Sequence, residues 1–400
     1  MTLNNKQQKF RKPIILSVNT FWNAYNFRLS LIKQLISDGH DVILLAKKDR
    51  YIENFYFPGC IPISLAFSTN KITPFQDIFL IYQYIKIFLQ IKPRFFLAFT
   101  IKPNIYGSIA AKIFKIPTIN NIAGLGRVFN SRGVLKTLAI YLYKISLSTS
   151  IKIFFQNTDD RELLIEHKAV DINKTQVLPG SGVDIKKFKN DFKTIFPNHS
   201  IQDESIVRSK ILGAQSLKTT FSFMLIARLI KQKGIKEFVE AAGLLKKENE
   251  NLEFFILGLM DETDSNSVTR AFLEQQEAEG VIKFLGGTDD VRKYIFFADC
   301  IVLPTYYNEG RPKVLLEAGA METPVIATDW VGCRDIITHG HNGLLCSPKD
   351  HYDLKQKMVD MLVLDPNLRN AMGANGRDNV KKNYSDRYVI KSYQDIIFNN

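Results

Sequence analysis

At 400 residues, 46% hydrophobic and 23% charged, the chain is too long for one core and too apolar to stay disordered, so two globular domains are expected. Its four cysteines, Cys60, Cys300, Cys333 and Cys346, form no C-x-x-C pair, which argues against a disulfide framework or a zinc site and fits a reducing compartment. The net charge of +13 opens with a polar, basic start, and Lys136, Lys144 and Lys152 interrupt the longest apolar stretches, so neither a signal peptide nor a transmembrane helix is expected.

In chain order, Ile14–Val18 reads as a strand. Residues 24–38 follow as a helix with Phe27, Leu31, Ile32, Leu35 and Ile36 at helical spacing, and Gly39 ends it. D-V-I-L-L-A (41–46) is the next strand. The alternation continues through strands at 95–100, 118–122 and 151–157, with helices near 104–115, 133–148 and from Thr158. Leu178–Asp184 is turn chemistry. Residues 186–219 are polar and Lys-rich, with a short helix expected near 203–211. A second series then runs through strands at 221–227, 252–258, 282–286, 300–304, 324–328 and 343–346. Helices at 234–248, 264–279, 289–297 and 312–321 separate these strands, and a helical tail begins near 351. Continuous apolar strands alternating with amphipathic helices predict an α/β chain with parallel sheets covered on both faces. The expected organisation is a first domain over 1–190, a linker over 191–219 and a second domain over 220–380. A C-terminal helix over 381–400 is expected to return to the first.

Charge is unevenly spread. The first 200 residues hold 28 Lys and Arg against 12 Asp and Glu, and the second 200 hold 25 against 28. Between Asp77 and Asp159 lie 81 residues with no carboxylate, among them eleven Lys or Arg and many aromatics. Such a one-signed field with apolar bulk suits an anionic membrane surface or a polyanionic ligand. The plainer reading is a Lys-, Ile- and Phe-rich way of writing cores.

The most informative stretch is N-E-G-R-P-K-V-L-L-E-A-G-A-M, with Glu309 and Glu317 eight positions apart. Glu309 lies in a Gly/Pro turn after an apolar strand. Glu317 lies on the helix that begins after Pro312. Free backbone N–H groups at such a helix start attract anions. That points to a phosphate-bearing ligand with carboxylates nearby to hold hydroxyl groups. Upstream, A-R-L-I-K-Q-K-G-I (227–235) puts Arg228 and Lys233 in a loop between strand and helix, a suitable place for a diphosphate, although solvated basic loops are common. Gly258, ending the strand after it, is grouped with the same ligand. No D-x-D occurs, so charge on a diphosphate would fall to side chains and helix dipoles. G-x-G-x-x-G after the first strand, a P-loop and a nucleophile elbow are also missing, which disfavours those chemistries. His339 and His341 read as loop residues. Gly124-Leu125-Gly126-Arg127 is either a tight turn or a flexible segment with Arg127 near substrate.

E-G-x-P-x-x-L-L-E-A, followed by P-V-I-A-T-D-x-x-G-C-R-D-I-I-x-x-G-x-N-G-L-L, resembles the C-terminal signature of glycosyltransferase family 4. A-R-L-I-K-Q-K-G resembles that family's diphosphate site. N-A-Y-N-F-R, T-I-K-P-N-I-Y-G-S-I-A-A-K and G-L-G-R-V-F resemble the subgroup that builds lipid-linked O-antigen, capsule or N-glycan precursors, α-1,3-N-acetylgalactosaminyltransferases included. The resemblance implies a GT-B architecture, two Rossmann-like domains with parallel sheets facing across a cleft, and a retaining, metal-independent reaction without a cofactor. It places Arg228 and Lys233 on the donor diphosphate, Glu309 at the transferred sugar and Glu317 on the ribose. Backbone N–H groups around Gly310, Arg311, Pro312 and Lys313 would cap the phosphates. Three departures stand out. Glu322 occupies a position usually held by Gly, Gly180-Ser181-Gly182 replaces an Asn-Gly, and no histidine occurs in 118–126.

The expectation is therefore a hexosyltransferase that moves a sugar, N-acetylgalactosamine or a galacturonic derivative, from a UDP-sugar to a polyprenyl-diphosphate-linked saccharide. Its expected partners are those two substrates and an anionic membrane surface, with no nucleic acid. Its expected place is cytoplasmic, on the inner face of the cytoplasmic membrane. The alternatives are a nucleotide-sugar epimerase of the same architecture and a basic membrane- or nucleic-acid-binding module.

Overall fold

A computed structural model describes residues 12–69, 73–125, 134–213, 220–249, 251–261, 264–308 and 310–399. The chain divides into two compact units, residues 1–181 with 387–400, and residues 182–386.

In the first unit, β1 (Ile14–Thr20), β2 (Val42–Lys47), β3 (Cys60–Leu65), β4 (Phe95–Phe99), β5 (Thr118–Ile122), β6 (Ser150–Phe155) and β7 (Thr175–Val177) form one sheet in the order β3-β2-β1-β4-β5-β6-β7. Every pairing is parallel, and Ile14 lies opposite both Val42 and Phe95. In the second unit, β8 (Phe221–Ile226), β9 (Leu252–Leu257), β10 (Lys283–Phe284), β11 (Cys300–Leu303), β12 (Val325–Thr328) and β13 (Leu344–Cys346) form a parallel sheet in the order β10-β9-β8-β11-β12-β13. Each order reverses direction beside its first strand, which is the doubly wound pattern that opens a crevice at the carboxyl ends of the strands. Every residue of F-F-L-A-F in β4 and C-I-V-L in β11 is buried, so apolar side chains leave both faces of each sheet into cores.

Several elements differ from the sequence expectation. The helix expected over 24–38 is two helices, Phe21–Phe27 and Leu29–Ser37, broken at Arg28. Arg28 is buried with its guanidinium 4.2 Å from the centre of the Phe99 ring, and burial lowers its pKa to about 10. The helix expected over 264–279 shortens to Arg270–Ala278. Local side-chain bonds take up the residues before it, with Asp264 accepting from the Asn266 N–H at 3.0 Å and Thr269 capping Phe272. The stretch 191–219, expected as a linker, is folded up to residue 213. Helices Phe192–Ile195 and Glu204–Leu212 bury Phe192, Ile195, Phe196, Val207 and Leu212 in the core of the second unit. Its few large apolar residues outweigh its many lysines. The helix Pro74–Ile91, absent from the sequence expectation, is apolar nearly all round and so carries no readable period.

The chain enters the second unit at Gly182 and leaves it at Asp386, where the two crossing segments pair. The Val183 N–H donates to the Tyr384 carbonyl at 2.9 Å, and the Asp386 N–H donates to the Val183 carbonyl at 3.1 Å. The last helix, Asp386–Asn399, buries Val389, Tyr393 and Ile397 in the first unit's core, with Asn121 donating to the Tyr393 hydroxyl at 3.0 Å.

Asp77, the last carboxylate before the basic window, is buried in the first unit. Lys102 contacts it at 2.5 Å and the Tyr106 hydroxyl donates to it at 3.1 Å. One of the window's cations is thus neutralised internally. Removing only the acid would strand a buried ammonium, which typically costs about 3–5 kcal/mol. Asp77→Ala should therefore lower the urea midpoint of the first unit markedly. Asp77→Leu combined with Lys102→Met should recover most of that loss in a double-mutant cycle. Additive effects would show that the pair is not coupled.

Candidate active site

The second unit's candidate residues collect at the carboxyl ends of β8, β9, β11 and β12. After β8 the chain runs through exposed Arg228 into a 3₁₀ turn, Lys231–Lys233, and then into the helix Ile235–Glu248. The junction is Gly234 at φ +75°, where a Cβ would lie 2.0 Å from the Pro304 carbonyl oxygen. Only glycine permits both that backbone and that approach. Gly258 has a related duty at the end of β9, since a Cβ there would come within 1.9 Å of the Ala227 carbonyl oxygen. Its absence lets the exits of β8 and β9 lie flush.

The exit of β11 locks onto the turn after β8. The Thr305 hydroxyl and the Tyr306 N–H both donate to the Gln232 carbonyl, at 3.2 and 2.9 Å. Thr328, ending β12, donates to the Thr305 carbonyl. This stitching brings Tyr307 near both cations, with Arg228 5.8 Å and Lys233 5.9 Å from its ring centre. Lys233 is only 7% exposed. Burial first, and the Arg228 guanidinium second, lower its pKa to about 7. A cation at such a place is stabilised by an arriving anion more than by water.

Beyond Tyr307 the loop is pinned again. Trp330 donates to the Asn308 side chain at 3.0 Å. Gly310 and Pro312 are buried, and Pro312 stands just ahead of the helix Lys313–Ala320. Pro312 has no N–H to offer a ligand; it sets the entry into the helix with φ −63°. The Arg311 guanidinium turns away onto Asp335, at 3.0 Å, and lies 5.3 Å from the Tyr384 ring centre. Its side chain therefore ties the loop to the fold, which leaves its backbone for a ligand. Glu317, four residues into the helix, is buried beside Lys313 at 3.6 Å. Burial raises its pKa, opposed by Lys313 and Lys187, while Asp290 adds to the rise. Asp290 is itself held by Arg292 through two bonds of 2.8 and 2.7 Å.

The structure thus brings Arg228 and Lys233 together, with Gly258 shaping their loop, and places Glu317 with Lys313 in a second group reached along the 305–312 loop. Glu309 and Arg127 lie outside the described residues. Among the described residues no group of three His, Cys, Asp or Glu converges as a metal cage. His339 accepts from the Leu345 N–H at 2.9 Å and belongs to a turn. Glu322, where a glycine was expected, keeps the glycine-like backbone at φ +60°, and Arg377 contacts its carboxylate at 3.4 Å. Sequence reasoning missed Tyr307 and Asn308, although the aromatic pair Tyr306–Tyr307, shortly after β11, was a visible signal. It also missed Thr100 at the carboxyl end of β4. That β-branched residue holds a left-handed backbone at φ +67° and donates to Asn19 at 2.8 Å.

Two family models match the chain: "Glycosyl transferase 4-like" over residues 14–157 and "Glycosyl transferases group 1" over residues 211–379. A relative from Campylobacter jejuni, N,N'-diacetylbacillosaminyl-diphospho-undecaprenol alpha-1,3-N-acetylgalactosaminyltransferase, is 27% identical over 376 residues, 93% of this chain and 94% of that protein. The capsular polysaccharide biosynthesis glycosyltransferase CapM of Staphylococcus aureus is 26% identical over 80% of each chain. Among solved structures, Anabaena HepE in complex with UDP and glucose aligns over 98% of this chain and 100% of its own, with TM-score 0.78 and 17% identity. A Rickettsia africae glycosyltransferase aligns over 96% of this chain and 98% of its own, with TM-score 0.76 and 18% identity. These likenesses carry the fold, which is GT-B.

The depressed Lys233 pKa has a consequence without any ligand. Between about pH 7 and the ordinary lysine value of 10.5 the unfolded chain holds a proton there that the folded chain has released. Unfolding free energy therefore rises with pH across that window, and the full penalty of the buried charge applies below it. In urea titrations from pH 7 to 9 the wild type should gain stability relative to Lys233→Met. Parallel curves would place Lys233 in contact with water.

Proposed function

The chain belongs to the glycosyltransferases, and from that premise we propose that it transfers a sugar from a UDP-sugar to a saccharide carried on polyprenyl diphosphate, with retention and without a metal ion. The observation that carries this reading is the convergence of Arg228 and buried Lys233 at the Tyr307 ring, at strand ends where glycine permits the close approach. Two fixed cations in a half-dry recess suit a nucleoside diphosphate as it leaves. The C. jejuni relative is named for transfer to a diphospho-undecaprenol saccharide, and HepE was solved with UDP; both support the choice of substrates.

In the reaction the bond from the anomeric carbon to the diphosphate breaks, and charge grows on the departing oxygen. Lys233 meets that charge from a turn already held by the Thr305 and Tyr306 bonds to the Gln232 carbonyl, and Arg228 joins it from the loop just before that turn. The acceptor hydroxyl forms the new bond from the same face, and the departing phosphate oxygen takes its proton. Losing one such pre-positioned donor typically costs about 2.7–4 kcal/mol of barrier. Glu317 holds the ribose hydroxyls, with Lys313 keeping its carboxylate in place. Glu309 serves the transferred sugar, and N-acetylgalactosamine or a galacturonic derivative is the sugar proposed.

We further propose that the first unit works on the inner face of the cytoplasmic membrane as a peripheral protein. Among the described residues no helix is long and apolar enough to cross a membrane. The helix Pro74–Ile91 nevertheless carries Phe75 at 90% exposure, with Ile78, Phe79, Tyr82 and Leu89 also exposed along the same side. Exposed aromatics at that spacing inside a carboxylate-free basic stretch suit the headgroup boundary of an anionic bilayer.

Radiolabelled UDP-sugars offered with short-chain polyprenyl-diphosphate saccharides should give a lengthened lipid-linked product, and donor alone should give no epimer. Glu317→Ala should raise the Kd for UDP about tenfold or more, the loss of a charge-assisted bond, with the fold intact by circular dichroism. Unchanged UDP affinity would remove Glu317 from the ribose. Phe75→Ser with Phe79→Ser should lower partition onto vesicles by about tenfold for each ring that inserts. Equal partition would remove that helix from the membrane.

A further inference from the structure

At the opposite edge of the first unit's sheet, where strands begin, lies a cavity of about 500 Å³ that no step above uses. Lys12 leads into β1, Lys92 and Arg94 into β4, and Lys115 into β5, and all four line it. No carboxylate lines it. Among the described residues none of the four cations forms an ion pair. Three of them come from the carboxylate-free window. Apolar walls complete the cavity, chiefly Phe88, Leu89, Phe95, Phe114 and Ile116.

The frame is fixed by backbone bonds. The Arg94 N–H donates to the Pro13 carbonyl at 2.9 Å, and the Phe96 N–H donates to the Pro117 carbonyl at 3.0 Å. The Arg94 guanidinium is held at 3.1 Å by the Ile397 carbonyl and lies 5.1 Å from the Phe95 ring centre. Four like charges around one concavity repel each other until an anion enters. The volume exceeds what a bare phosphate fills, and the apolar walls give a free phosphate nothing to gain. Leu89 belongs both to the cavity and to the exposed face of the helix Pro74–Ile91.

We propose that this cavity is a seat for the phosphate headgroup of an anionic phospholipid, with the lipid's apolar part continuing along Leu89 toward the exposed face of the helix. The proposal rests on the membrane reading above and goes beyond it, because it assigns selectivity for anionic lipid to one pocket and not to the overall field.

A gentle pair of substitutions exists. Lys92 and Lys115 sit at φ +49° and +53°, a backbone that asparagine accepts more readily than lysine, so Lys92→Asn with Lys115→Asn removes two charges without disturbing the loops. Lys168, at φ +50° in the same unit but outside the cavity, and exposed Lys144 supply a matched control, Lys144→Asn with Lys168→Asn. Co-sedimentation of the full chain with phosphatidylcholine vesicles, with or without phosphatidylglycerol, separates the cases. The wild type should prefer the anionic vesicles. The pocket variant should lose about 30-fold of that affinity, the worth of two lysines at an anionic surface, while binding neutral vesicles as before. The control should keep the preference. Equal loss in both variants, or no loss in the pocket variant, overturns the pocket. Heat protection by inorganic phosphate in wild type but not in the pocket variant, with no lipid preference, reassigns the cavity to a free anion and overturns the lipid. A wild type that binds no vesicle at all overturns the membrane reading itself, and the pocket's lipid with it.

Discussion

A lysine buried beside an arginine is the constraint on which the second unit turns. Lys233 reaches its place because Gly234 lets the helix Ile235–Glu248 begin hard against Pro304, and because Thr305 and Tyr306 bond the Gln232 carbonyl. Placing an ammonium there costs charge desolvation, which is what lowers its pKa. On the proposed reading, a nucleoside diphosphate would supply negative charge that favours the ammonium and would take the helix starts as further donors. The chemistry follows from that economy. A leaving group already clasped by fixed donors needs little rearrangement to depart.

The first unit solves a different problem with the same topology. Its sheet is as thoroughly buried, but much of its polar interior is paired within itself. Asn120 reaches Asn104 and Ser108, Asn121 reaches Tyr393, and Asp77 takes Lys102. What remains unsettled lies outside, in the exposed rings of the helix Pro74–Ile91 and the cations about the strand starts. A protein that must meet a substrate anchored in a bilayer gains by holding apolar and cationic surface together on one unit. On the proposed reading, the other unit is then free to be built around the nucleotide.

Much of this was legible in the residues. Period and composition read out both β-α series, and the positions of Arg228 and Lys233 after a strand and of Glu317 on a helix were visible in the residues. What could not be read was depth. Nothing in K-Q-K-G says that its second lysine is buried, because the lid over it comes from Thr305–Tyr307, far along the chain. Arg28 broke an expected helix for the same reason, a tertiary contact with Phe99 outweighing local period. The stretch 191–213 was polar enough to look like a tether, yet Phe192, Phe196 and Leu212 suffice to fasten it. The helix Pro74–Ile91 hid because a segment apolar on all sides gives no phase to follow. Arg311 illustrates a role that changed, its motif position pointing to the ligand while its guanidinium serves Asp335.

The central claim is that Lys233, whose pKa burial lowers to about 7, is driven to its charged form when a nucleoside diphosphate arrives. Calorimetric titration of the protein with UDP at pH 8, in two buffers of different ionisation enthalpy, reads that proton directly. The account predicts uptake of a proton on binding, abolished in Lys233→Met. UDP that bound with no proton exchanged, or with the same exchange in the variant, would contradict it.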